Sequence, residues 1–288
     1  MDFKKLFLSK HSVNKISLWS LCALWLILSS SVATALNIND INIPKDVNDV
    51  NRTDYATGII KQDAKAFPKI FVKDATSVFF DRTNLTLLLL AAGGSITLRE
   101  TDIDERAADH FKNNGRMSPD LDKFVDLAGN PGTHFAATGI WYLMAANKKD
   151  DLSMQRSWIM LRALAVTGAT TLALKAAVHD HTPNDKDWAW PSGHTSSSFA
   201  AAAVLDEFYG PSIGIPAYLG AGFVGYRMME SGDHWASDVL FGGVLGYVIG
   251  HTIAGNHKEL AIGEYKLQPM VTNLHDRPAA GIALEKRF

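Results

Sequence analysis

The sequence predicts an all-α protein, a helical bundle with its chemistry gathered at one end. Two observations carry this. Past residue 84 the apolar residues fall in runs of helical length, separated by polar or Gly/Pro-containing breaks. The residues able to do chemistry sit where those runs start or stop. Lys175 lies near the end of run 157–178, and Pro191-Ser192-Gly193-His194 opens run 195–209. Arg227 closes run 213–228, and His234 opens run 235–254. Four such helices packed up and down bring these ends together.

Taken in order, the chain starts with a secretory pattern over residues 1–35. Lys4, Lys5, Lys10 and Lys15 form a basic region, residues 16–28 are apolar, and Ala33-Thr34-Ala35 fits a small-residue cleavage site, so cleavage is expected after Ala35. An uncleaved anchor is the alternative. The single cysteine, Cys22, lies inside this run, so the mature chain is expected to hold no disulfide. Without residues 1–35 the chain has five more acidic than basic side chains, which argues against nucleic acid as a partner.

Residues 36–84 read as an extension. Asn, Asp and Ile dominate 37–51, around Pro44, which suggests a loop. Residues 56–71 have irregular helical spacing, and 72–80 suggest a short helix. The bundle domain is expected over 85–255. Its first run, 85–98, is broken by Gly93-Gly94. A charged stretch, 101–126, follows without the basic excess of a cytoplasmic loop. Residues 127–133 read as a turn around Gly129, Pro131 and Gly132, and 135–146 as another apolar helix. After 255, residues 265–271 and 281–288 alternate weakly and read as a terminal β-hairpin lying on the bundle.

The clustered groups suit a phosphoryl group. A helix N-terminus offers free N–H groups and the positive end of its dipole. Gly193 lets the backbone approach closely, and Ser192 can donate a hydroxyl hydrogen. Lys175 and Arg227 supply positive charge for the phosphoryl oxygens. His234 and Asp238 are four apart and share a helix face. Asp238 can accept the proton of one ring nitrogen and leave the other free to attack phosphorus. His194 is left to protonate the leaving oxygen.

This set resembles the type 2 phosphatidic acid phosphatase (PAP2) superfamily, which also holds class A acid phosphatases and vanadium haloperoxidases. Its pattern is Lys-x6-Arg-Pro, then Pro-Ser-Gly-His, then Ser-Arg-x5-His-x3-Asp. The resemblance covers roughly residues 85–255. It implies a PAP2-like bundle and a metal-independent phosphatase, without cofactor, working through a phosphohistidine. His234 is then the nucleophile, His194 the general acid and Asp238 the orienting carboxylate. Lys175, Ser192, Gly193 and Arg227 become the phosphate binders. Two positions depart from the pattern: Thr182 stands where the first motif has Arg, and Arg227 is followed by six residues before His234, with Tyr226 in place of Ser. If the helix stays regular, the extra residue rotates Arg227 by about 100°, so an inward Arg227 would need a bulge or an unwound helix end. Lys186 is the nearest cation that could substitute.

Other readings are a vanadate-dependent haloperoxidase and a catalytically degenerate anion-binding relative. The resemblance implies a phosphorylated lipid or small-molecule substrate, and with the leader pattern an extracytoplasmic site is expected, periplasmic in a Gram-negative cell. His179, Asp180 and His181 read as a solvated loop rather than a metal site. His134 and His251 read as core or helix-end residues. Two runs are nearer 14 than the about 20 apolar residues a span needs; runs 157–178 and 237–254 are long enough to be borderline, but Arg162 and Lys175 interrupt the first, and mean hydropathy is near zero. This favours a secreted helical domain associated with a membrane over an integral one.

Overall fold

The computed structural model describes residues 47–115, 117–257, 261–262, 265–274 and 277–286. The expected leader and cleavage site lie outside the described residues. The chain divides into two compact units, residues 1–54 and 55–288. Of the first, residues 47–54 are described, as helix.

Nine helices occur among the described residues: α1 (Val47–Phe79), α2 (Arg82–Glu100), α3 (Ile103–Asn114), α4 (Pro119–Gly129), α5 (Pro131–Lys148), α6 (Asp151–Val178), α7 (Gly193–Tyr209), α8 (Pro211–Glu230) and α9 (Ala236–Gly255). The all-α reading therefore holds, and the four runs that carry chemistry are α6 to α9. Three local expectations change. Residues 47–51 are helix rather than loop, and 56–79 form one helix with them. Gly93-Gly94 does not break α2; a Cβ on Gly94 would stand 3.2 Å from Leu240 Cδ2, so the bare backbone lets α9 come close. The turn at 127–133 shrinks to Asn130, which ends α4 and caps α5 by accepting from Gly132 N at 2.8 Å.

The centre of the bundle is α9 packed on α7, and small residues set their distance. A Cβ on Gly246 would lie 2.0 Å from Ser196 O, and one on Gly250 2.4 Å from Ala200 O. Side chains there would push the helices apart, so the spacing Gly242-Gly246-Gly250 makes one bare face along α9. Beside it Leu245, Val248, Ile249 and Ile253 are buried with Ile159, Ala163 and Leu164 of α6. Each fully buried Leu or Ile contributes about 1.5–3 kcal/mol.

Arg162, which interrupts the apolar run of α6, is buried and forked onto Asp74 of α1, with Nε 2.8 Å and Nη2 2.6 Å from its carboxylate. A buried charge is tolerable when paired in this way. The outer faces differ. Leu85, Leu89 and Leu90 of α2, Ile140 and Met144 of α5, and Ile215 and Leu219 of α8 are exposed. Helices α6 and α9 are each long and apolar enough to cross a membrane.

After α9 come β1 (Ala261–Ile262), β2 (Tyr265–Leu274) and β3 (Arg277–Lys286), antiparallel in the order β1-β2-β3. The expected hairpin is β2–β3, with Tyr265 opposite Lys286 and Leu274 opposite Arg277.

Candidate active site

The C-terminal ends of α6 and α8 meet the N-terminal ends of α7 and α9. Backbone bonds weld the junction: Ser192 N donates to Asp238 O at 3.1 Å, and His234 N donates to Met228 O at 2.9 Å.

His234 sits just before α9 and Asp238 in its first turn, both buried. His234 Nδ1 lies 3.1 Å from Asp238 Oδ2, which also accepts from Trp235 N at 3.0 Å. His234 precedes the N-cap Trp235, so the turn that ties its N to Met228 O sets the ring beside the first helical turn that carries Asp238. The pair suits a neutral ring that donates from Nδ1 to the carboxylate, the tautomer that leaves the Nε2 lone pair for chemistry.

Ser192 is the N-cap of α7. It is fully buried, and its Oγ accepts from Thr195 N at 3.3 Å and pairs with Thr195 Oγ1 at 2.9 Å. Its hydroxyl is thus engaged in holding the helix start. Gly193 is open, since a Cβ there would meet only Thr171 Cγ2, at 3.8 Å. His194, the next residue, points Nε2 towards Asp126 Oδ1 at 3.4 Å without forming a hydrogen bond. Burial pushes its imidazole down to about 4, opposed in part by the Asp126 carboxylate. Lys175, near the end of α6, turns its ammonium onto the carbonyls of Trp188 and Ala189, the latter at 2.9 Å.

Arg227 departs furthest from expectation. Helix α8 stays regular through Glu230, with neither bulge nor unwinding at Arg227. The extra residue is absorbed in the turn after it, where Gly232 adopts a φ of 71°. The guanidinium is gripped by three carboxylates: Nε lies 2.7 Å from Asp122 Oδ1, and Nη1 is 2.8 Å from Asp126 Oδ1 and 2.9 Å from Asp233 Oδ2. Asp122 and Asp126 are one turn apart on α4, on the face opposite its exposed Phe124. Asp233 is held below the ordinary carboxylate range by Lys186, Ser231 and Arg227 against the effect of burial. Lys186, the candidate substitute cation, is exposed and reaches Asp233 at 2.8 Å. Thr182 is buried, with Oγ1 accepting from Lys186 N at 3.1 Å.

Sequence reasoning missed several members. Asp180 is no free loop carboxylate; it pairs with Arg99, from the last turn of α2. Arg99 also reaches Asp238 Oδ1, at 3.3 Å from Nη2. Asp104 of α3 accepts from Ser237 N at 2.9 Å and from its hydroxyl, and burial raises its carboxyl above the usual range. The signals were faint: a basic residue ending an apolar run, and an i,i+4 acidic pair on a charged helix. Away from the junction, His134 lies in the first turn of α5. His251 is not a core residue but an exposed one, paired with Glu207 at 2.6 Å.

Residues 173–260 match the PAP2 superfamily. A lipid A 1-phosphatase of Porphyromonas gingivalis is 39% identical over 64 residues, 21% of this chain and 14% of that protein. The chain thus aligns with about one seventh of that relative's length. The crystal structure of a transmembrane PAP2-type phosphatidylglycerolphosphate phosphatase from Bacillus subtilis superposes with a TM-score of 0.51 at 18% identity, covering 64% of this chain and 96% of that one. Aquifex aeolicus LpxE gives 0.42 at 20% identity, covering 50% and 92%.

Proposed function

We propose that this chain, which carries the PAP2 superfamily segment over residues 173–260, is a phosphatase that hydrolyses a phosphorylated lipid through a phosphohistidine. One observation carries the reading: the His234–Asp238 pair, with Nδ1 and Oδ2 3.1 Å apart, stands at the same helix junction as His194, whose buried Nε2 has no hydrogen-bond partner.

In the reaction, His234 Nε2 attacks phosphorus. The P–N bond forms as the ester P–O bond breaks, and the leaving oxygen takes a proton from His194. Asp238 stabilises the charge that develops on the His234 ring. In the second half a water attacks phosphorus, His194 takes its proton, and the P–N bond breaks to release inorganic phosphate and restore His234. The start of α7, with Gly193 bare, binds the phosphoryl oxygens, and Lys175 and Arg227 contribute positive charge. A phosphate anion beside His194 opposes the effect of burial and favours its protonated form.

A lipid substrate is supported by the apolar outer faces. Exposed Leu, Ile and Phe on α2, α5 and α8 suit hydrocarbon rather than water. Phe124 and Leu127 are exposed on α4, the helix whose acids meet Arg227 and His194. The site then lies where a membrane meets water, so that a phosphorylated headgroup reaches it while its chains stay in lipid. The leader-like pattern of residues 1–35 supports the extracytoplasmic face.

The test is phosphate release by the full chain in detergent and in vesicles, on lipid and soluble phosphate monoesters and diphosphates. Release from lipid substrates that disappears in His234→Ala is expected. No release from any substrate, with phosphate binding retained, would replace the enzyme reading by an anion-binding one.

A further inference from the structure

The Asp238 carboxylate is completely buried, and a buried carboxylate needs compensation beyond one imidazole. The first motif supplies none from position 182, because Thr182 is buried and bonded to the backbone of Lys186. A guanidinium arrives from elsewhere. Arg99 Nη2 lies 3.3 Å from Asp238 Oδ1, Nη1 bonds Asp180, and Nε is 3.9 Å from Asp104 Oδ2. Arg99 thus bridges the end of α2, the α6–α7 loop and the start of α9. The Asp238 carboxylate is divided between two jobs: Oδ1 faces Arg99, and Oδ2 faces His234 Nδ1 and Trp235 N.

We propose that Arg99 is a positioning residue for the His234 nucleophile, acting through Asp238. A two-point hold fixes the carboxylate plane, and with it the direction in which Oδ2 receives the Nδ1 proton. A planar fork suits this better than an ammonium, which has no fixed geometry. The frame behind Arg99 is rigid. Asp104 takes both the N–H and the hydroxyl of Ser237, while Ser95, one turn before Arg99, donates to Ser237 O at 3.0 Å and accepts from Trp190 Nε1 at 3.0 Å. Two side chains of α2 therefore grip the first turn of α9, far from each other in sequence and adjacent in space.

The role has a charge consequence. His234 and its carboxylate are faced by Arg99 from α2, Asp104 from α3, Lys175 from α6 and His194 from α7; His194 is faced in turn by Asp126, Arg227 and Asp233. Removing Arg99 takes a positive charge from beside Asp238, so the carboxylate acts more strongly on the His234 ring and favours its protonated form. A protonated His234 cannot attack, so the acid limb of kcat/KM moves to higher pH.

The proposal rests on the phosphatase reading for its kinetic arm but not for its spectroscopic one. The experiment is a histidine-selective nitrogen-15 NMR titration of the full chain in micelles, for wild type, Arg99→Met and Arg99→Lys. It is paired with pH profiles and inhibition by vanadate. In Arg99→Met the His234 titration is expected to move to higher pH, and kcat to fall on the order of 10²-fold through misplacement, with the vanadate inhibition constant unchanged. Arg99→Lys should restore the titration, because it keeps the charge, but not full turnover, because it loses the fork. An unchanged His234 titration in a folded Arg99→Met overturns the proposal, as does weakened vanadate binding with kcat intact. If Arg99→Met fails to fold, Arg99→Lys decides: wild-type turnover there overturns the need for a fork. If wild type releases no phosphate, the phosphatase reading falls, while the titration still decides the role of Arg99.

Discussion

Asp126 Oδ1 stands 3.4 Å from His194 Nε2, and no hydrogen bond joins them. The carboxylate comes from α4 and the imidazole from the first turn of α7. Burial holds His194 near 4, and Asp126 is the main influence raising it. In the free protein this ring is therefore neutral at pH 7. If it is the general acid, its protonated fraction in the free enzyme falls as pH rises through about 4, and kcat/KM declines along that limb. Asp126→Asn removes the raising influence, so the limb should move to lower pH, as measured by pH–rate profiles. A limb that stays in place would detach Asp126 from His194. The same depression acts on stability: it is fully present above the unfolded value of about 6.5 and is lost as pH falls towards about 4.

His194→Ala should slow hydrolysis of alkyl phosphates on the order of 10²–10⁴-fold. With p-nitrophenyl phosphate the loss should be much smaller, because that leaving group departs without a proton. Equal losses on both substrates would sink the general-acid role.

Asp238→Asn keeps the shape of the carboxylate but can present an N–H to His234, favouring the wrong tautomer. Turnover should fall by about 10⁴-fold, the size seen when an orienting aspartate is amidated. Trapping with labelled substrate and denaturation should find no phosphohistidine in His234→Ala. A labelled histidine in that variant would place the nucleophile elsewhere.

Arg227→Ala leaves Asp122, Asp126 and Asp233 facing one another beside His194. Stability should drop by roughly 1–3 kcal/mol from lost charged hydrogen bonds. Inhibition by phosphate should weaken, and the His194 titration should move up as the carboxylates lose their cation. Lys186→Ala should be milder, because the exposed lysine reaches only Asp233. Unaltered phosphate inhibition in Arg227→Ala would make Arg227 a tie between α4 and α8 with no part in anion binding.

Gly246→Ala tests the packing that brings α7 to α9. The added Cβ would meet Ser196 O at 2.0 Å, so the helices must part. A loss of about 1–3 kcal/mol is expected in thermal or denaturant unfolding, with activity falling as Ser192 N separates from Asp238 O. Gly139→Ala, inside α5 where a Cβ meets nothing within 4 Å, is the comparison and should gain about 0.5–1 kcal/mol.

The sequence by itself determined α6 to α9 and the parts of the site built within one turn. The Ser192 cap and the His194 that follows it are local, because backbone geometry brings N-cap to N3; the His234–Asp238 pair is close in sequence, but His234 stands before the helix and is set by the turn from Met228. The bare face of α9 was written there too, as Gly242, Gly246 and Gly250, but its partner on α7 was not. Only the tertiary structure decided the charge network. Arg99 and Asp238 are 139 residues apart, and Arg227 and Asp122 are 105 apart. No spacing rule reaches so far, because such pairs form when packing places two helix ends side by side. Packing also chose the carboxylates for Arg227, since a regular α8 turns its guanidinium towards α4.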